Sequence, residues 1–291
     1  MSTEARMFAL AIGGIALLTV MDAIAKALAA DYGTFQIVFA RFAFSALWIG
    51  AAAFVLRPGW PRRDRLAAHG LRAVLMVATT SAFFYALGHL PLAEVFVLSY
   101  TAPIFVALFG ALLLSEKVDR ITAVAIACGF AGVVWVALGD AQADETVPRP
   151  WFALACAIAS PVTYALGNVL LRAQTAHEPV VTIVLTQSLL ASALLLPAIV
   201  AIEVALPTLQ DGLLFAALGL FGAGGYLAFA SAIAKLPAAR VAVADYSGLI
   251  WAALLGYLLF AEVPKPSLWA GAVLILGGSL LMLRAKKPKP A

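Results

Sequence analysis

Ten apolar runs divide the chain, at about 7–29, 34–56, 68–88, 91–114, 120–139, 151–173, 179–202, 209–234, 237–260 and 266–284. Each is close to the roughly 20 residues that an α-helix needs to cross a hydrocarbon core about 30 Å thick. Polar separators such as "RPGWPRRDR" from Arg57, "SEKVDR" from Ser115, "DAQADETVPRP" from Asp140 and "AEVPKP" from Ala261 punctuate them. The separators are too short to hold a soluble domain. No run alternates apolar and polar residues in ten-residue strands, so a β-barrel is excluded.

Composition strengthens this pattern. Hydrophobic residues make up 64% of the 291, charged residues 12%, and mean hydropathy is +1.01. A soluble domain is about a quarter charged, so the bilayer must be the solvent for most of this surface. The pI near 9.2 does not indicate nucleic acid, because the Lys and Arg residues cluster between apolar runs, where they suit a membrane surface. With the N-terminus inside, 15 basic residues fall in inner segments. Three (Lys26, Arg149 and Lys265) fall in outer ones, and Arg41 lies within a run. That bias, with an even number of spans, places both termini in the cytoplasm. The apolar stretch from Met7 is too long for a signal-peptide core. Cys128 and Cys156 lie in apolar runs without metal-ligand spacing and read as small buried hydrophobes.

The chain also repeats. At an offset of 146 residues, Leu90–Glu116 and Leu236–Glu262 share 13 of 27 positions without a gap, among them Leu90/Leu236, Pro91/Pro237, Tyr100/Tyr246 and Glu116/Glu262. The same offset aligns Asp22 with Asn168, Lys26 with Arg172 and Arg41 with Gln187. Five spans per half is an odd number, so the second half enters the membrane upside down. Such inverted repeats typify secondary transporters, with a substrate site near the midplane between the halves.

Ten spans, two five-helix halves and an acidic residue closing spans four and nine ("LLLSE", "LLFAE") resemble the EamA-type branch of the drug/metabolite transporter superfamily. Within it, the sequence is most similar to YddG-type exporters of aromatic amino acids. The resemblance covers essentially the whole chain. It implies a central cavity, alternating access and export of small metabolites across the bacterial inner membrane.

Polar residues deep in a span are costly and usually face a cavity or each other. Tyr100 and Tyr246 each lie nine residues beyond a Leu-Pro corner, about 14 Å along a helix. Both are therefore expected near the midplane, as opposing walls of one site. Ser99, Thr101, Asn168, Gln187, Asp245 and Ser247 are the expected polar contacts of a substrate. Phe83, Tyr85, Tyr164 and Trp251 are candidate stacking surfaces, with helix packing as the alternative for Tyr85 and Tyr164. Asp245 is placed to bind an ammonium, carry a coupling proton, or pair with Arg240 or Lys235. Asp22 and Lys26, at i and i+4, share a helix face. Arg41 offers Asp22 another partner, and the three, toward the outer side, form a salt-bridge cluster, an outer gate or a substrate site. Pro91, Pro103, Pro237 and Gly248 mark corners or bends that could act as hinges. In span eight Gly222, Gly224 and Gly225 suit close helix packing.

The sequence thus predicts an all-α membrane protein, with ten transmembrane helices as two inverted five-helix repeats, 1–145 and 146–291, around a central cavity. The function expected is export of small metabolites, amino acids with aromatic ones among them. The alternatives are a multidrug exporter of lipophilic cations, or a membrane enzyme or lipid-handling scaffold without solute flux. No GxxxxGK[ST], HExxH or GxSxG element is present, so no catalytic residue, metal or cofactor is expected. The expected partners are a small-molecule substrate and the lipid bilayer, with no nucleic acid; monomer and dimer both stay open.

Overall fold

The computed structural model describes residues 3–102, 105, 120–139, 150–202, 204–236 and 238–282, and its regular elements are helical. They are α1 (Thr3–Leu28), α2 (Thr34–Leu56), α3 (Leu66–Leu87), α4 (Leu92–Ser99), α5 (Arg120–Gly139), α6 (Trp151–Thr175), α7 (Val180–Ala201), α8 (Leu209–Ile233), α9 (Ala238–Phe260) and α10 (Pro266–Met282). In hydrocarbon every backbone polar group needs a partner within the protein, and a helix provides it locally. Breaks fall where that supply changes. Arg57 turns left-handed at φ 46° after α2, its N–H bonded to the Ala53 carbonyl at 2.8 Å, and Pro58 and Gly59 follow. Pro91 immediately precedes α4, and Thr208 caps α8 by accepting from the Asp211 N–H at 3.2 Å.

Among the described residues, six stretches are long and apolar enough to cross a membrane: Ala5–Leu28, Thr34–Val55, Arg63–Leu87, Trp151–Leu171, Val180–Ala201 and Leu209–Ile233. Shorter apolar helical stretches are Ala127–Val136, Ala244–Phe260 and Pro266–Gly278. The expected fourth span is described only through residue 102 and at Phe105, so Pro103 lies outside the described residues, as does Pro237. Large apolar side chains such as Phe54, 82% exposed, and Val200 point outward. In water such a surface would drive aggregation; toward lipid it carries no such penalty.

The helices pack in matched pairs. α1 lies against α8, and α3 against α6. α2 touches α7 and α8, while α7 touches α2 and α3. α1 also meets α9, α4 meets α6 and α9, and α5 meets α10. Small residues permit the closest approaches. A Cβ added at Gly225 of α8 would sit 2.9 Å from the Gly14 carbonyl oxygen of α1, and one at Gly219 would overlap Phe44 of α2. With little hydrophobic drive between helices in lipid, this close van der Waals fit holds them together. The largest buried cluster runs through Met21, Phe42, Met76, Phe84, Leu92 and Tyr100.

Polar ties bind the two halves at both ends of the bundle. Lys26 Nζ pairs with Glu262 Oε1 at 3.0 Å where α1 and α9 end. At the other end, His69 Nε2 and Glu178 Oε2 lie 2.7 Å apart, and Glu178 Oε1 accepts from the Arg62 N–H at 2.9 Å.

Candidate functional site

Between the halves lies a cavity of about 150 Å³ that is partly open. Its walls follow from helical periodicity. Ile15, Leu18, Thr19 and Asp22 of α1 are at i, i+3, i+4 and i+7, and Met76, Thr79, Thr80 and Phe83 of α3 repeat that spacing. Phe96 and Ser99 come from α4 and Tyr100 from its C-terminal cap, Ser160, Pro161 and Tyr164 from α6, and Tyr226 and Phe229 from α8. Arg41 of α2 and Asp245 of α9 complete the charged lining. Thr79 and Thr163 hydroxyls meet at 2.6 Å and tie α3 to α6 beside the cavity.

The two repeat-related tyrosines touch, rather than facing each other across a gap. The Tyr100 and Tyr246 rings are edge to face, 5.3 Å between centroids, and the Tyr100 hydroxyl donates to the Asp245 carbonyl oxygen at 3.2 Å. Tyr100 lines the cavity, whereas Tyr246 packs against the main core. Gly248 makes this contact possible: a Cβ there would lie 2.9 Å from the Tyr100 hydroxyl oxygen.

Of the other substrate contacts expected from the sequence, Phe83, Ser99, Tyr164 and Asp245 line the cavity. Thr101, Asn168, Gln187, Ser247 and Trp251 do not. Thr101 and Ser247 hydroxyls donate to Leu98 and Ala244 carbonyls on their own helices, at 2.8 and 2.6 Å. Such a bond lets a hydroxyl sit in a span without any ligand. Asn168 Oδ1, Gln187 Oε1 and Trp251 Nε1 are buried without a hydrogen bond among the described residues. Tyr85 stacks on His89 at 4.3 Å and meets Phe152 edge-on, away from the cavity.

Asp22 and Arg41 face the same cavity, but Lys26 is turned away from Asp22. Its ammonium is taken by Glu262 and by the carbonyls of Leu87 and Leu90, at 2.9 and 2.6 Å. Arg41 Nε donates to Met21 Sδ at 3.1 Å, and its guanidinium lies over the Phe42 ring.

Sequence reasoning missed Tyr226, Phe229, Thr79, Thr80 and Arg72. A tyrosine four residues after Gly222 in an otherwise apolar span was the available signal for Tyr226. Arg72, counted from the sequence with the inner basic residues, is fully buried and donates to the Tyr226 hydroxyl at 2.8 Å. Among the described residues, no group of three His, Cys, Asp or Glu side chains is placed to hold a metal.

The cavity can hold a small solute with apolar and ionic parts, since aromatic faces and charges of both signs share its wall. Comparison with known proteins finds transporters over most of the chain. The pseudopaline exporter CntI of Pseudomonas aeruginosa is 28% identical over 280 residues, covering 92% of this chain and 93% of that protein. An S-adenosylmethionine uptake transporter of Rickettsia bellii is 23% identical, covering 91% and 89%. A riboflavin transporter of Rhizobium johnstonii is 28% identical, covering 86% and 84%. One crystal structure shares the fold, with a TM-score of 0.68 at 20% identity over 96% of this chain and 99% of that one. The model of the EamA-like transporter family matches twice, over residues 6–138 and 151–284. This chain therefore belongs to the EamA-like transporter family: it is a multi-pass membrane protein that moves small molecules across a membrane, and not an enzyme.

Proposed function

We propose that this transporter exports small zwitterionic metabolites, amino acids with aromatic ones among them, by alternating access around the central cavity. One observation carries the reading. Tyr100, Tyr164, Phe83 and Phe96 share one volume with the carboxylates of Asp22 and Asp245 and the guanidinium of Arg41. An aromatic amino acid has a complementary set of groups: a ring to stack, an ammonium for a carboxylate, and a carboxylate for a guanidinium.

Two further observations support ten spans arranged as inverted repeats. The family model matches once per half. Exchanging each helix with its counterpart 146 residues away converts the α1/α8 contact into α6/α3, α2/α8 into α7/α3, and α1/α9 into α6/α4, all of which are present. The excess of Lys and Arg in the inner segments supports cytoplasmic termini in a bacterial inner membrane. The resemblance to YddG-type exporters supports aromatic amino acids as substrates. Among the relatives, both an exporter and uptake transporters occur, so the proposed outward direction rests on the resemblance to YddG-type exporters.

A lipophilic cation is the second reading, because two carboxylates face an aromatic volume; Arg41 in the same wall weighs against it. The deciding experiment is counterflow in proteoliposomes with labelled phenylalanine, threonine, a nucleoside and tetraphenylphosphonium. Amino-acid exchange without cation exchange is expected. Exchange of the cation alone would replace the first reading with the second, and no exchange of any solute would remove both.

A further inference from the structure

Arg72 is the bulkiest fully buried side chain among the described residues. Its Nη2 donates to the Tyr226 hydroxyl at 2.8 Å, and its guanidinium lies 5.8 Å from the centre of that ring. Nε and Nη1 are buried and make no hydrogen bond among the described residues. The ion pairs among the described residues are Lys26–Glu262, Arg62–Asp64 and His69–Glu178, so none neutralises it. One neutral phenol does not compensate a buried full charge, whose desolvation costs several kcal/mol. An intramembrane ionisable group with that imbalance marks a functional position.

The position lies next to the cavity. α3 and α6 run past each other with Thr79 against Thr163, and with Met76 3.1 Å from a Cβ built at Gly167. Arg72 is one turn further along the same face of α3. Its one hydrogen-bond partner, Tyr226, lines the cavity. A guanidinium presents two edges for bidentate carboxylate binding, and each edge combines Nη2 with either Nε or Nη1. Here Nε and Nη1 are unpartnered and the Tyr226 hydroxyl takes one of the two Nη2 N–H groups, so one edge keeps a complete fork and a carboxylate that displaces the hydroxyl gains the other. Tyr226 lines the cavity and Arg72 does not, so a solute meets Tyr226 before it reaches either edge.

We propose that Arg72 is the carboxylate-recognition group at the α3 end of the cavity, and that Tyr226 is its cover, moving off Nη2 when the carboxylate of a solute enters. The inference deepens the reading of a zwitterion site and rests on it: the carboxylate contact moves from Arg41, which donates to Met21 and lies over the Phe42 ring, to Arg72, with Asp22 and Asp245 left to the ammonium.

The test is thermal unfolding of the purified full-length protein in detergent, titrated with phenylacetate and separately with phenethylamine. Phenylacetate is expected to raise the melting temperature of the wild type, and Arg72→Gln to abolish that shift while leaving the response to phenethylamine. Tyr226→Phe, which frees Nη2, is expected to reach the same shift at several-fold lower phenylacetate. An equal phenylacetate response in Arg72→Gln and wild type overturns the proposal, as does no response in the wild type. If Arg72→Gln does not fold, Tyr226→Phe decides alone, and an unchanged or weaker phenylacetate response overturns the proposal. Flux of labelled phenylalanine separates this from the broader reading. A wild type that responds to phenylacetate but moves no amino acid keeps the Arg72 site and loses the amino-acid assignment.

Discussion

Lys26 and Glu262, 236 positions apart in the sequence, form one knot at an end of the bundle. The ammonium lies 3.0 Å from Glu262 Oε1 and donates to the Leu87 and Leu90 carbonyls, while Glu262 Oε2 accepts from the Leu92 N–H at 2.8 Å. The ends of α1, α3 and α9 and the start of α4 are thereby tied together. The pair is mostly buried, with side chains 13% and 19% exposed, so removing one partner strands the other. Lys26→Met should lower stability by about 2–4 kcal/mol, seen as a clear fall in melting temperature in detergent. An unchanged melting temperature would mean that the knot is ornamental. Because Leu90 precedes Pro91, the expected corner of the first half, the same substitution should also change the rate of counterflow.

Close packing of α1 on α8 gives a second expectation. A side chain at Gly225 would run into the Gly14 carbonyl and Leu18, whereas Gly13 faces open space. Gly225→Leu should cost about 1–3 kcal/mol or more through overpacking, and Gly13→Ala should be nearly neutral. Thermal unfolding of both variants checks this, and equal effects would contradict the packing described.

Gly248 and Tyr100 should be coupled. A Cβ at position 248 meets the Tyr100 hydroxyl oxygen at 2.9 Å, with Phe96 and Ile15 at 3.1 and 3.2 Å. Gly248→Ala should therefore destabilise the wild type and be partly rescued by Tyr100→Phe, with an interaction term of about 0.5 kcal/mol or more. Additive effects in the double-mutant cycle would separate the two residues. Gly248, expected from the sequence as a hinge, acts in this structure as the seat for Tyr100.

Asp245 is the cavity carboxylate of the second half. If it holds the substrate ammonium, Asp245→Asn loses a charge-assisted bond of about 1.5–3 kcal/mol, roughly ten- to a hundred-fold in phenylalanine flux. If it also carries a coupling proton, the variant's residual flux should no longer respond to a proton gradient. Wild-type flux retained by Asp245→Asn between about pH 6 and about pH 8 would remove it from both roles.

Much of the helical layout was legible because hydrocarbon imposes one rule on every residue of a span. Apolar length alone foretold α1, α2, α3, α6, α7 and α8 to within a few residues. Polar intrusions pointed to Asp22, Arg41, Ser99, Tyr100 and Asp245, since a span that carries them usually has a cavity to carry them for. The same logic misplaced Thr101 and Ser247, whose hydroxyls bond their own helices. It also missed Phe229, although the 146-residue offset pairs it with Phe83, a candidate stacking surface, and both line the cavity. Arg72 was hidden for another reason. Six residues after the start of α3, it reads in sequence as an interfacial cation, whereas in the fold it is fully buried with its guanidinium on Tyr226 of α8.

The central claim is that the cavity is the solute path. Ser99→Cys, made in a Cys128→Ser, Cys156→Ser background, places a thiol in the cavity wall. The measurement is its rate of reaction with a small charged thiol reagent in proteoliposomes, with and without phenylalanine, alongside counterflow of the labelled amino acid. Modification should block counterflow, and phenylalanine should slow modification several-fold. Full counterflow through a completely modified protein would contradict the claim.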